Sequence, residues 1–230
     1  MKKLFSLLMI LSLLMTVPAL AEVDDDQYLV ITGSASVSVQ ADYAVLSIGV
    51  QTSGTNVDSA QLENAATMNV VLEAIKGCGV QDDDVVTSSF NIYDTTSWNE
   101  NEETAYRVEN LLSVTIRELD KAGKIIDVAT QAGANILNGI SFYSSARNEA
   151  YKKALTRAVE DAQDKAAVLV TACGKKLGKL VKIETGSDYY SNVGVNNYYT
   201  MDTEAASADT SIISGDISVS ASVTLTYTFE

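Results

Sequence analysis

"SARNEAYKKALTRAVEDAQDKAAVLVTACG" occupies residues 145–174 and carries alanine at 146, 150, 154, 158, 162 and 166. A period of four with charges on the remaining positions predicts an amphipathic helix from about Ser145 to Cys173. At roughly 100° per residue, Tyr151, Leu155, Val159, Ala162, Ala166, Leu169, Val170 and Cys173 gather on one face, and Lys153, Arg157, Glu160, Asp164 and Thr171 point away. A row of residues four apart drifts around a helix by about 40° per step. Ala158, Ala162 and Ala166 are therefore expected in the core, Ala150 and Ala154 on its flank, and Ala146 at the back. Charges throughout the segment exclude a membrane-spanning helix, and alanine has no reactive group. The row reads as a close-packing ridge, with Ala146, Ala150 and Ala154 as candidate contacts for a neighbouring helix or subunit.

Outward from this helix, the chain alternates. "YLVITGSASVSVQADYAVLSIGVQTSGT" predicts two long strands joined by a tight turn at Gln40-Ala41-Asp42. "NVDSAQLENAATMNVVLEAIKG" has helical period, with Val57, Ala60, Met68, Val71, Leu72 and Ile75 on one face; Thr55 and Asp58 have capping-box spacing, and Gly77 or Gly79 is the expected stop. Two strands follow around a long acidic loop near 94–104. A short helix over 119–133, capped by Asp120 and stopped at Gly133, precedes the strand "ILNGISFYS". After the alanine helix come a strand at "KLGKLVKIETGS", an aperiodic stretch at 187–211, and a last strand with Ile217, Val219, Ala221, Val223, Leu225, Tyr227 and Phe229 on one face. The order ββαββ–α–βαββ holds a weak repeat of two βαββ halves, about 43–118 and 138–229. The expected class is α+β: antiparallel sheet with helices packed on one face, in one domain over 28–230.

The first 21 residues have the form of a secretory signal: Lys2 and Lys3, an apolar run, then Ala19-Leu20-Ala21 as the cleavage site. Export follows, to periplasm, cell envelope or exterior, with a flexible acidic N-terminus at 22–27. No later apolar run is long enough to span a bilayer, so no membrane span is expected in the processed chain. Losing the two leader lysines moves the formal net charge from −14 to −16. Such acidity argues against nucleic acid as a partner. The 230 residues include no histidine, which removes Ser-His-Asp and Cys-His catalysis and His-ligated zinc. Cys78 and Cys173 are the two cysteines, each at the end of a predicted helix. If those helices lie antiparallel on one sheet, their ends are too far apart for a disulfide, and two small buried thiols are expected.

Few motifs carry chemistry. Gly77-Cys78-Gly79 ends a helix where a dinucleotide site needs glycines opening one. Asp82-Asp83-Asp84 and Asp24-Asp25-Asp26 lack the alternation and the distal glutamate of a calcium loop. No cofactor, metal or catalytic residue is expected. Trp98 in the acidic loop, and Tyr189, Tyr190, Tyr198 and Tyr199 in the Gly/Asn-rich stretch, are candidate partner-binding residues, because tyrosine pairs offer large contact area at low entropic cost. The alternatives to a binding protein are a hydrolase of envelope polysaccharide that uses carboxylates alone, and a thiol redox role for the cysteines.

"ITGSASVSVQADYAVLSIGV", "TIRELDKAGKIIDVATQAGANILNGISF", "ARNEAYKKALTRAVEDAQDKAAVLVTACGKKLGKLVKI" and "GDISVSASVTLTYTF" together, in that order, resemble the SIMPL-domain family. Alanine at 41 and Ser214-Gly215 stand where that family often has proline. The resemblance implies an exported α+β protein of βαββ units, without established catalytic residues. It also implies ring-like or channel-like homo-oligomers and, through an oxidative-stress defence protein among its members, a link to stress defence; an envelope or surface partner is expected from the candidate loop residues.

Overall fold

The computed structural model describes residues 27–94, 106–186, 194–195 and 210–230. The elements run β1 (Tyr28–Gln40), β2 (Tyr43–Gly54), α1 (Val57–Gly77), β3 (Val85–Asp94), β4 (Tyr106–Ile116), α2 (Ala122–Gln131), β5 (Ile136–Tyr143), α3 (Arg147–Ala172), β6 (Leu177–Thr185), β7 (Gly194–Val195) and β8 (Asp216–Phe229). Short 3-10 turns at Asp82–Asp84 and Leu119–Lys121 lead into β3 and α2. All pairing is antiparallel, and the class is α+β as expected. The strands divide between two sheets, however: a small one in the order β1-β8-β6 and a large one in the order β3-β4-β2-β5-β7.

The division falls at the expected tight turn. β1 and β2 do not pair with each other. β1 pairs with β8 along its whole length, from Tyr28 opposite Thr228 to Gln40 opposite Asp216, whereas β2 lies between β4 and β5. The two strands bury different kinds of side chain. β2 puts Ala44, Leu46, Ile48 and Val50 under α1 and α2. β1 turns Gly33 and Ala35, with Ile31 and Val37, toward α3, where only a thin layer fits. Asp42 holds the crossing point. Its N–H donates to the Tyr143 carbonyl at 2.9 Å. Its carboxylate accepts from the Ser145 N–H at 2.9 Å and from the Ser145 hydroxyl. The Tyr43 and Tyr143 rings stack beside it at 5.3 Å.

The strands of the two expected halves take the following places. In the first half, the strand after the helix, β3, is outermost, β4 is next and β2 third. In the second, β6 is outermost and β8 next, but β1 takes third place while β5 joins β2.

Helix ends follow local chemistry that differs from expectation in two places. The N-cap of α1 is Asn56, whose side-chain oxygen accepts from Ser59 N–H at 2.9 Å, in place of a Thr55–Asp58 box. Lys121 occupies the N-cap of α2 without a side-chain capping bond, its ammonium donating instead to Glu118 at 2.7 Å, and Asp120 sits inside the 3-10 turn. The stops agree: α1 ends at Gly77 with Gly79 at φ 95°, and Gly133 follows α2 at φ 111°.

The alanine helix lies on β1 and β8, and its packing corrects the expected face. Ala150, Ala154, Ala158, Ala162, Ala166 and Val170 are all buried, whereas Leu169 and Cys173 are exposed. A row that drifts by about 40° per step stays buried because the twisted strands beneath it turn the same way. Ala150 packs on Ile217 and Val219, and Ala158, Ala162 and Ala166 pack on Val223, Leu225 and Tyr227. At Gly33 the two backbones touch: a Cβ there would lie 2.0 Å from the Ala158 carbonyl oxygen and 2.7 Å from the Ala162 Cβ. Alanine on one side and glycine on the other are what allow that approach.

Candidate interaction surfaces

The candidate oligomer contacts do not form a spare flank. Ala150 and Ala154 are buried inside the chain itself, and Ala146, just ahead of α3, is exposed alone. Trp98, Tyr189, Tyr190, Tyr198 and Tyr199 lie outside the described residues. The structure does describe their anchors. Asp94 opposite Tyr106 closes the stem around the Trp98 loop. On the tyrosine side, β6 ends at Thr185, β7 pairs Gly194 with Ser141 and Val195 with Ile140, and Thr210 is fastened to α2. The Thr210 N–H and hydroxyl donate to the Asp127 carboxylate at 3.1 and 2.5 Å. The described residues in and around the tyrosine stretch thus touch both sheets: Thr185 ends a strand of the small one, Gly194 and Val195 pair with β5 of the large one, and Thr210 bonds α2.

Acidic side chains serve as latches. Asp84 takes a two-pronged bond from Arg117, at 2.9 and 2.7 Å. Asp161 accepts from Lys165 at 2.6 Å and from the Ser34 N–H at 2.8 Å. The carboxyls of Asp42, Asp84, Asp161 and Glu149 are all held below the usual range, chiefly by the hydrogen bonds of Ser145, Arg117, Lys165 and Lys152 respectively. A general acid needs displacement in the opposite direction, so these four groups suit holding and not proton delivery. Cys78 is half-buried against the large-sheet core and Cys173 is exposed; both are free thiols.

Sequence reasoning passed over Asn64. It is a fully buried residue of α1, and its amide donates to the carbonyls of Val50 and Val108, at 2.9 and 3.2 Å, tying the helix to β2 and β4. The signal was available: Asn64 stands four residues after Ala60 and four before Met68, in the apolar row.

Sheet edges are the other feature missed. β1 is an outer strand, but α3 seals it: Asp161 takes the outward N–H of Ser34, and Lys165 reaches the Thr32 carbonyl at 3.4 Å. β7, at one edge of the large sheet, is two residues long. β3 and β6, the remaining outer strands, have no such cover among the described residues. They also expose apolar side chains. Val181 and Ile183 on β6 are 55% and 59% accessible, and Val86 and Phe90 on β3 are 58% and 47% accessible.

These features define an α+β protein of two helix-covered antiparallel sheets, with β1 sealed and β3 and β6 uncovered among the described residues. The chain belongs to the family described as "SIMPL: Protein of unknown function (DUF541)", whose model matches residues 29–227. It is similar to the 26 kDa periplasmic immunogenic protein of Brucella melitensis, 31% identical over 160 residues, which are 66% of this chain and 64% of that protein. The match thus spans somewhat under two thirds of the Brucella protein's length. The uncharacterized protein YggE of Escherichia coli K12 is 25% identical over 165 residues, 70% of this chain and 67% of YggE. No helix among the described residues is long and apolar enough to cross a membrane.

Proposed function

We propose that this is an exported, non-enzymatic SIMPL protein that self-associates and binds an envelope or surface partner through its loops. Signal cleavage near Ala21 and a part in stress defence belong to the same reading. The observation that carries it is the pair of open outer strands with exposed apolar residues, a liability that an isolated chain would ordinarily suppress. The name of the Brucella relative supports a location outside the cytoplasm. The latched carboxylates favour scaffold over hydrolase. Light scattering on the chain from Glu22 onward tests self-association: an assembly is expected, and a strict monomer at micromolar concentration contradicts it. Deleting residues 189–199 is expected to weaken retention on immobilised envelope fractions while the circular dichroism spectrum is kept; unchanged retention removes the loop from the account.

A further inference from the structure

Tyr43 and Tyr143 stand where the two sheets are joined. Tyr43 is the first residue of β2, next to Asp42, and Tyr143 is the last of β5, shortly before Ser145. The chain passes between the sheets at both places: from β1 into β2, and from β5 into the helix that covers β1 and β8. The two residues are facing partners in the β2–β5 ladder, so backbone pairing fixes where their side chains start. Their rings stack, with centroids 5.3 Å apart and planes 16° from parallel. Both residues are half-buried, and neither is sealed from solvent. A phenol is readily oxidised by one electron, and two phenoxyl radicals couple when they meet. Groups already held in contact react far faster than groups that must first find each other.

We infer that Tyr43 and Tyr143 form an oxidative cross-linking site, at which a one-electron oxidant of the kind a haem peroxidase makes from hydrogen peroxide joins the two rings as dityrosine. Each phenol loses one electron to the oxidant and its proton to water. The two radicals then pair their electrons in a new bond between ring carbons ortho to the oxygens. The hydrogen on each of those carbons leaves as a proton, and a proton returns to each oxygen, which restores both phenols. The net loss is two electrons and two protons, which convert one hydrogen peroxide into two waters. The new bond ties together covalently the two segments that Asp42 and Ser145 hold by hydrogen bonds. Because it closes the long loop between positions 43 and 143, it stabilises chiefly by restricting the unfolded chain. The site goes beyond the binding role proposed above and does not depend on it, since both rings belong to one chain.

The test treats the chain from Glu22 onward, its thiols blocked with iodoacetamide, with a haem peroxidase and hydrogen peroxide. Mass spectrometry of the digested product is expected to show the peptides holding Tyr43 and Tyr143 joined and two hydrogens lighter than their sum, with the blue emission of dityrosine. The treated chain is expected to unfold at a higher urea concentration than the untreated one. Tyr43→Phe and Tyr143→Phe keep the ring and remove the phenol. Each, once circular dichroism shows the fold kept, is expected to lose both the joined peptide and the rise in midpoint. Three results overturn the assignment. One is a treated chain with those two peptides unjoined, whether or not dityrosine forms through the more exposed Tyr28 and Tyr93. Another is an equal yield of the joined peptide from chain unfolded in urea before treatment, since the stack then directs nothing. The last is an equal rise in midpoint in the phenylalanine variants.

Discussion

The two outer strands of the small sheet share one central neighbour, β8, and have opposite fates. β1 lies directly beneath α3: Gly33 meets the helix backbone, and the Asp161–Lys165 pair occupies the polar groups on either side of it. β6 meets the same helix only at its start, where Leu177 packs on the alanine cluster, and its apolar residues Leu180 and Ile183 are exposed. One helix covers two strands and not three. The short alanine side chains that let α3 sit so close also narrow the strip it shields. Close packing at β1 and exposure at β6 are therefore two results of one sequence choice.

The comparison breaks most violently at Gly33. Gly33→Val places side-chain atoms within the α3 backbone, and its cost is expected at about 3 kcal/mol or more, read as a fall in the urea midpoint. Full stability in that variant means that the helix does not sit there. Next come the alanines. Ala150→Leu and Ala162→Leu are each expected to cost about 1–3 kcal/mol by overpacking, because both sites are buried. A silent Ala150→Leu restores the flank that the helical wheel suggests. Asn64→Ala lies in the other sheet and leaves the Val50 and Val108 carbonyls without their amide donor. About 1–3 kcal/mol is expected there, with the loss in large-sheet probes such as near-ultraviolet signals from Tyr43 and Tyr143.

Acid titration separates latches from filler. Asp42, Asp84 and Asp161 have carboxyls held below their unfolded values. For a depressed acid, the stabilisation is present above the unfolded pKa, near 4, and is lost as pH falls through the lower folded value. Urea midpoints measured from neutral pH downward are expected to drop below about pH 4. Asp161→Asn, which removes one titrating group, is expected to flatten that drop. An identical acid limb in the variant assigns the loss to other groups. The smallest effect belongs to Ala146→Leu, at an exposed site, expected within about 0.5 kcal/mol.

Much of the fold is legible in the chain because it depends on period. The alternation in β8 foretells Ile217 to Tyr227 as a buried row, and the four-residue spacing foretells α3. Partner choice is not legible in the same way. Alternation in β1 and β2 marks both as strands but is silent on whether they face each other, and it took Asp42 and the different bulk of their inner residues to send them to separate sheets. A straight helical wheel also misplaces Ala150 and Ala154, since it assumes a flat contact where the sheet is twisted. Asn64 is hidden because a polar residue in an apolar row looks like an interruption until its two carbonyl partners are known. The open edges are properties of strand order, which no single segment encodes.

The contrast between sealed and open edges is tested most directly by amide hydrogen exchange at two positions, Ser34 on β1 and Ile183 on β6. Both N–H groups point away from β8, and only that of Ser34 has a partner, the Asp161 carboxylate, among the described residues. In dilute protein, Ser34 is expected to exchange slowly and Ile183 quickly, with Ile183 slowing as concentration rises and copies pair. An Ile183 amide already protected at the lowest concentration, or a Ser34 amide as quick as Ile183, would contradict the account.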